Sequence, residues 1–486
     1  MSNSITNLEP KIVWKHFHSL TQIPRPSKHE QAAVDFVMKF GKDLGLETIV
    51  DEVGNVIIRK PATAGMENRK GIILQGHLDM VPQKNSDKTH DFTKDPIEAY
   101  VDGDWVTANG TTLGADNGIG VAAAMAVLED KSLVHGPIEA LFTIDEETGM
   151  TGAFNLKPGI LKGDILINMD SEDEGELYVG CAGGMDANIK LKYKNESAPD
   201  NFQFAKLSMV GLKGGHSGMD ICSGRANSIK LLFRFLRFAE KEFGIRISSI
   251  DGGSLRNAIP REAFVVLGVD KKHFAALEQA VKNHLKVYKE EFSAVEPDLD
   301  FQLVKADAPS SVIDSKSQWG IIRAVFGCPN GVIRMSDSMP GLVETSTNLA
   351  RVYSENGVIY AQCLLRSSVD TSKEALAEKI ASVFEMAGAE VEFDGAYPGW
   401  KPNMNSAILK VMSDVYATNW GKTPEIKAIH AGLECGILGG VYPNFDMISF
   451  GPTIRYPHSP DEKVKIDTVD MFWKFLVEVL KNAPSK

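Results

Sequence analysis

Thiols are sparse in this chain: the five cysteines, Cys181, Cys222, Cys328, Cys363 and Cys435, are odd in number, widely scattered and never spaced as CxxC. That pattern argues against both a disulfide framework and a thiolate zinc site, and a reducing cytoplasmic setting is the expectation. Long apolar runs are missing as well. Nowhere do ~18 or more uncharged apolar residues follow one another, and the opening MSNSITNLEPKIVWKHFHSL has no basic stretch leading into an apolar core, so neither a membrane span nor an export leader is expected. Positive charge is in deficit too. A net charge of −12 and a pI near 5.5 leave no excess of Lys and Arg to neutralise phosphate, which excludes nucleic acid and anionic membranes as expected partners and leaves a small ligand.

What is present suits an ordinary globular protein of two or three domains: 486 residues, 43% hydrophobic and 24% charged. Strand-like apolar runs alternate with amphipathic helical stretches in GIILQGHLDMV (71–81), GIGVAAAMAVLED (118–130), IEALFTIDEE (138–147) and DILINMD (164–170). Such alternation predicts an α/β fold with a mostly parallel sheet flanked by helices. The style changes between about Met185 and Trp400, where longer polar strands and charged helices indicate an inserted α+β domain. It resumes in the last ~85 residues with ILKVMSDVYATNW, FDMISFG and DTVDMFWKFLVEVLKNA. The expected organisation is therefore a first domain split into 1–185 and 401–486, with 186–400 inserted. Within the insertion, AFVVLGVDKKHFAALEQAVKNHL and AQCLLRSSVDTSKEALAEKIASVF each run from a strand through Val-Asp into a helix. Two explanations stay open: a duplicated strand–helix unit, or two unrelated connections that use Asp270 and Asp370 as helix caps.

The chemistry is suggested by where ionisable residues fall. His77 and Asp79, Asp116, Glu146 and Glu147, Asp170 and His458 are each expected at or just beyond the C-terminal end of an apolar strand, the edge where open α/β sheets bind ligands. Singly, each has a plain alternative: a strand-end histidine, a helix cap in GADNG, a solvated acidic pair, a surface histidine. Gathered at one edge, carboxylates would repel one another unless a divalent cation neutralised them. Imidazole with carboxylate and no thiolate suits Zn²⁺, or Co²⁺ or Mn²⁺, better than Ca²⁺ or Mg²⁺. Two histidines and three carboxylates suffice for two metals that share one bridging carboxylate. In the H-x-D pair, side chains two apart on a strand share a face, so Asp79 is placed to accept the second ring N–H of His77. Of the adjacent glutamates one faces the metal, and the other is left to take a proton from water.

The segments SLTQIPRPSKHE, GHLDMV, TLGADNGIG, TIDEETGMTGA, NMDSEDEGE, GLKGGHSG, RNAIPRE, IHAGLECG and FGPTIRYPHSPDEKV, running from Ser19 to Val464, resemble the successive motifs of the di-zinc exopeptidase family of aminoacylases, carboxypeptidases and dipeptidases. GHLDMVPQKN, GCAGGMD and HAGLECG are most similar to its bacterial aminoacyl-histidine dipeptidase branch. The resemblance implies two Zn²⁺ per chain, one held by His77 and Asp170, the other by Glu147 and His458, with Asp116 bridging. It implies Glu146 as general base, a cis peptide at Asp116–Asn117, and a lid formed by the insertion. From that lid it implies His216 polarising the scissile carbonyl, Asn257 and Arg366 binding substrate, and main chain at Gly432 lining the pocket.

The expected function is hydrolysis of Xaa-His and related dipeptides, β-alanyl-histidine included, by a cytoplasmic homodimer. An N-acyl amino acid deacylase or carboxypeptidase with the same metal pair is the alternative within enzymes. An inactive metal-dependent binding protein is the alternative outside them, and a spare base beside Glu147 speaks against it.

Overall fold

The structure is a computed structural model that describes residues 5–486. The described chain forms two compact units. One comprises the chain up to Gly180, Trp400–Ala428 and Leu433–Lys486; the other comprises Cys181–Gly399 and Ile429–Gly432.

The first unit is built on an eight-stranded sheet in the order Glu47–Val50, Val56–Lys60, Ile138–Thr143, Ile72–His77, Ile165–Asn168, Asp446–Ser449, Glu176–Cys181, Glu425–Ile429. Its four central strands are parallel, from Ile138–Thr143 to Asp446–Ser449, and the pairings toward both edges include antiparallel ones. Every residue of Ile72–His77, Ile138–Thr143 and Ile165–Asn168 is buried, as expected of parallel strands covered on both faces. This is why they read in sequence as continuous apolar runs.

The helix Ala115–Glu129 departs from the expected amphipathic pattern, because every residue from Asn117 to Leu128 is buried. It packs against the strands Ile72–His77 and Ile138–Thr143 on one side and the helices Lys11–Thr21 and Ile466–Lys481 on the other. A helix enclosed in this way needs no polar stripe, and its Gly and Ala residues permit the close approach. A Cβ on Gly118 would stand 3.0 Å from the Phe17 ring and 2.7 Å from the Arg25 guanidinium. A small antiparallel sheet, Ile454–Arg455, Lys463–Lys465, Trp105–Ala108 and Ala99–Asp102, completes the unit.

The second unit is an antiparallel sheet with helices Ser228–Phe243, Phe274–Glu291, Ser315–Gly327 and Asp370–Glu385, packed over one core that holds Phe233, Phe235, Leu267, Leu277, Ile322 and Phe384. Two of its strand–helix steps carry the Val-Asp pattern, but the aspartates do different work. Asp270 caps its helical turn by accepting the Lys272 N–H at 3.0 Å. Asp370 is the first residue of its helix, and its carboxylate instead accepts from Lys373 Nζ at 2.8 Å and Gly399 N at 3.1 Å. No disulfide forms among the described residues; the Cys328 and Cys363 sulfurs lie 4.0 Å apart as thiols. Among the described residues no helix is long and apolar enough to cross a membrane.

Candidate metal centre

Four of the expected residues lie where the sheet edge puts them. His77 ends its strand, Asp170 follows Ile165–Asn168 by two residues, and Glu146 and Glu147 follow Ile138–Thr143 in a single helical turn, Glu146–Gly149. Asp116 and His458 arrive by another route. Asp116 sits in the first turn of the buried helix Ala115–Glu129, with non-helical φ/ψ and a cis peptide to Asn117, and His458 lies at φ 59° in the loop between two strands of the small sheet. Periodicity could not reveal this, because a non-helical first turn and a loop between strands of two and three residues carry little pattern.

The side chains converge. His77 Nε2 is 3.1 Å from Asp116 Oδ1 and 3.4 Å from Asp170 Oδ1. His458 Nε2 is 3.2 Å from Asp116 Oδ2 and 3.0 Å from Glu147 Oε2. Asp116 thus offers one oxygen to the trio with His77 and Asp170 and the other to the trio with Glu147 and His458, each trio compact enough to hold a cation. Glu147, and not Glu146, meets His458; Glu146 comes close to His77 and Glu147.

Electrostatics test whether a cation fits. Burial pushes the Glu146 carboxyl well above its ordinary range and Asp170 up to about 7. Burial would also raise Asp116, but hydrogen bonds from His458 and His77 outweigh it and hold this carboxyl well below the usual range. Burial would lower His77, yet Asp170, Asp116 and Asp79 together drive it well up, and contacts with Asp116 and Glu147 raise His458 to about 11. Two imidazolium groups therefore balance the acids. Divalent cations are the alternative balance, freeing both Nε2 atoms as ligands. Glu147 Oε1 and Asp170 Oδ1 are buried without a hydrogen-bond partner, as carboxylate oxygens set to ligate a cation would be. The donor set, imidazole and carboxylate, fits a zinc-like ion.

Behind the cluster stand Asp79, expected beside His77 but with further partners, and two residues whose roles the sequence did not reveal, Glu462 and Arg25. The Asp79 carboxylate is 3.3 Å from His77 Nδ1, but it also accepts the Glu146 N–H at 3.0 Å, the Glu147 N–H at 3.2 Å and the Ser27 hydroxyl at 2.8 Å. One carboxylate therefore orients a histidine and the turn that carries both glutamates. Despite burial, these partners hold Asp79 down at about 2. Glu462, fully enclosed, accepts four successive backbone N–H groups, Leu113, Gly114, Ala115 and Asp116, at 2.7–3.2 Å. It fixes the loop that delivers Asp116. Buried Arg25 donates to the carbonyls of Leu78, Asp79 and Gly114, tying the His77 strand to that loop. Both lie within motifs noted above, IPRPS and SPDEK, but nothing in spacing distinguishes them from surface charges.

The remaining expected residues belong to the second unit. His216 Nδ1 accepts the N–H groups of Gly218 and Met219 at 3.2 and 3.0 Å, which leaves its proton on Nε2 as a free donor. The Asn257 carbonyl accepts the Ser217 N–H at 2.8 Å, and the residue is exposed beside it. Arg366 is 6% exposed; its Nη1 donates to Tyr397 Oη at 3.4 Å, while its Nε has no hydrogen-bond partner. A Cβ on Gly218 would meet the His430 carbonyl at 2.2 Å and Arg366 Nε and His216 Cε1 at 3.2 Å, so these three groups converge on one glycine. Gly432 packs against the Tyr397 ring, which a Cβ would meet at 3.1 Å. Tyr397 and His430 were not anticipated.

Residues 73–482 match the model of Peptidase family M20/M25/M40. The chain is 47% identical over 484 residues to the cytosol non-specific dipeptidase of Escherichia coli (strain K12), with 100% of both chains covered. The crystal structure of aminoacylhistidine dipeptidase from Vibrio alginolyticus matches with a TM-score of 0.96 at 49% identity, covering 99% of this chain and 98% of that one. Aminopeptidase PepT from Bacillus cereus ATCC 10987, at 18% identity and a TM-score of 0.62 over 98% of this chain and 99% of that one, shares the fold. Across almost its whole length, then, this chain is a member of Peptidase family M20/M25/M40 and a hydrolase.

Proposed function

We propose that this protein is a two-metal dipeptidase that cleaves Xaa-His and related dipeptides, β-alanyl-histidine among them. The observation that carries the proposal is Asp116, whose two carboxylate oxygens face two separate histidine–carboxylate sets 3.1 and 3.2 Å away. In this reading His77 and Asp170 hold one Zn²⁺, Glu147 and His458 the other, and Asp116 both. Bound ions of this kind polarise a carbonyl and make water a nucleophile near neutral pH. The substrate preference is supported by the dipeptidase names of the relatives at 47% and 49% identity.

The chain's own residues do the rest. Glu146, half-buried beside His77, is the base that accepts the proton of the attacking water and returns it to the leaving amine. Asp79 keeps Glu146 and Glu147 on their respective sides through the two backbone N–H groups it accepts. His216, with its proton on Nε2, donates to the carbonyl oxygen as charge develops there. Arg366, whose buried guanidinium has a donor to spare, binds the substrate carboxylate, with Asn257 and the main chain at Gly432 lining the same subsite. A cytoplasmic location and a homodimeric state accompany the proposal.

Dipeptides are expected to be cleaved strongly and tripeptides poorly, in line with the dipeptidase names of the relatives at 47% and 49% identity. The test compares kcat/KM for β-alanyl-histidine, glycyl-histidine, N-acetyl-histidine and a histidine-containing tripeptide, with metal content measured on the same preparation. Strong dipeptide cleavage with two divalent ions per chain and loss of activity on chelation is expected. Preferred turnover of N-acetyl-histidine would replace the dipeptidase with a deacylase, and active enzyme holding one metal or none would remove the two-metal mechanism.

A further inference from the structure

Directly behind the metal cluster, the ends of the four central strands are joined by side chains instead of being packed with apolar groups. Gln75 lies two residues before His77, Asn168 two before Asp170, and Thr143 three before Glu146. On a strand, residues two apart share a face, so Gln75 lies on the same face as the ligand candidate that follows it. Gln75 Oε1 accepts from Asn168 Nδ2 at 2.6 Å, and Asn168 Oδ1 accepts from Ser449 Oγ at 2.5 Å and from the Asp170 N–H at 3.3 Å. All four residues are fully enclosed. The chain ends at Glu434, in the first turn of the helix Glu434–Val441, whose Oε2 accepts from Gln75 Nε2 at 2.5 Å and from Thr143 Oγ1 at 2.9 Å.

A carboxylate at 1% exposure is an expensive choice for this place. Burial lifts it to about 7, and its Oε1 has no hydrogen-bond partner. What Glu434 supplies that an apolar side chain could not is a single oxygen accepting from two neighbouring strands at once. Through Gln75 it fixes the spacing of the His77 and Asp170 strands; through Thr143 it fixes the strand that leads into Glu146. Asp79, Arg25 and Glu462 hold the loops of the centre from outside, whereas this chain holds the sheet beneath it.

We infer that Glu434 is a positioning residue, which sets the registry of His77, Asp170 and Glu146 by accepting hydrogen bonds from Gln75 and Thr143. Its hydrogen bonds go to Gln75 and Thr143, behind the cluster. The inference rests on the two-metal reading of the cluster. Groups that orient metal ligands from behind typically alter metal affinity or activity by ~10–100-fold when removed, and small misplacements of reacting groups cost ~10²-fold in rate.

The experiment uses the full chain, four single variants, Glu434→Gln, Glu434→Leu, Gln75→Leu and Thr143→Val, and the double variant Gln75→Leu/Glu434→Leu. For each, zinc affinity by chelator competition, kcat and KM for glycyl-histidine, and Tm would be measured. Glu434→Leu is expected to lose about 10–100-fold in zinc affinity or kcat with KM changed less than about 3-fold. Glu434→Gln keeps an acceptor oxygen and should stay within about 3-fold of wild type. Gln75→Leu combined with Glu434→Leu should cost less than the sum of the two single changes, since the two residues share the Gln75–Glu434 contact. Should Glu434→Leu fail to fold, Gln75→Leu and Thr143→Val remove the same bonds from the donor side. Variants that lose Tm alone, or a Glu434→Gln as damaged as Glu434→Leu, would overturn the inference. A wild-type protein that binds no zinc would instead overturn the two-metal reading, which keeps the two failures apart.

Discussion

Glu146 and Glu147 are neighbours in sequence with different surroundings, and that difference sets the first prediction. Glu147 Oε2 lies 3.0 Å from His458, whereas Glu146 is a half-buried carboxyl that desolvation raises well above its ordinary range. Glu146→Gln should reduce kcat by ~10²–10⁴ while leaving metal content close to wild type, and Glu147→Gln should lower metal affinity as well. Metal analysis alongside single-turnover rates separates them; activity within ~10-fold of wild type in both variants would end the assignment. The sequence named the pair but not its geometry, since i and i+1 on a helical turn point in different directions only after the turn has been placed. It was placed by Asp79, through main-chain N–H groups that leave no trace in side-chain spacing.

The buried helix Ala115–Glu129 shows what elements contribute. Its sequence, rich in Gly and Ala, was legible as a helix, but its complete enclosure was not, because a pattern without a polar stripe does not say what covers it. Gly120 is the sharpest consequence: a Cβ there would stand 2.6 Å from both the Met169 carbonyl and the Asn117 Oδ1. The Met169 carbonyl already accepts from Asn117 Nδ2 at 2.6 Å and directly precedes Asp170, so it has little room to retreat. Gly120→Ala should destabilise the protein by about 1–3 kcal/mol. It should also weaken metal binding, because the displaced backbone carries Asp170. Unchanged Tm and unchanged chelator resistance would show that the strand end yields more easily than this packing suggests.

At the scale of the whole molecule, stability in mild acid should be governed in part by His430. This residue is buried with its Nε2 2.7 Å from Ser346 Oγ, and burial together with Arg366 and His216 lowers it from 6.5 to about 4. Because the unfolded chain takes up this proton at a higher pH than the folded one, stability is full above about 6.5 and is lost as pH falls toward 4. The loss attributable to His430 is on the order of a few kcal/mol. Urea unfolding of metal-free wild type and His430→Gln across pH 7 to 4 should show the variant losing less; parallel curves would exclude the histidine as a cause. By itself the sequence determined the α/β class, because enclosed parallel strands leave continuous apolar runs, and it determined the chemical character of the centre, because imidazole and carboxylate without thiolate narrow the metals that fit. Only the tertiary structure decided which oxygen of Asp116 faces which histidine, that Glu462 and Arg25 clamp the loop bearing it, and that a side-chain chain ending at Glu434 underlies the strand ends. The physical reason is range: periodicity reports neighbours within one element, whereas these contacts join residues from 39 to 359 positions apart and exist only once the sheet has brought the strand ends together.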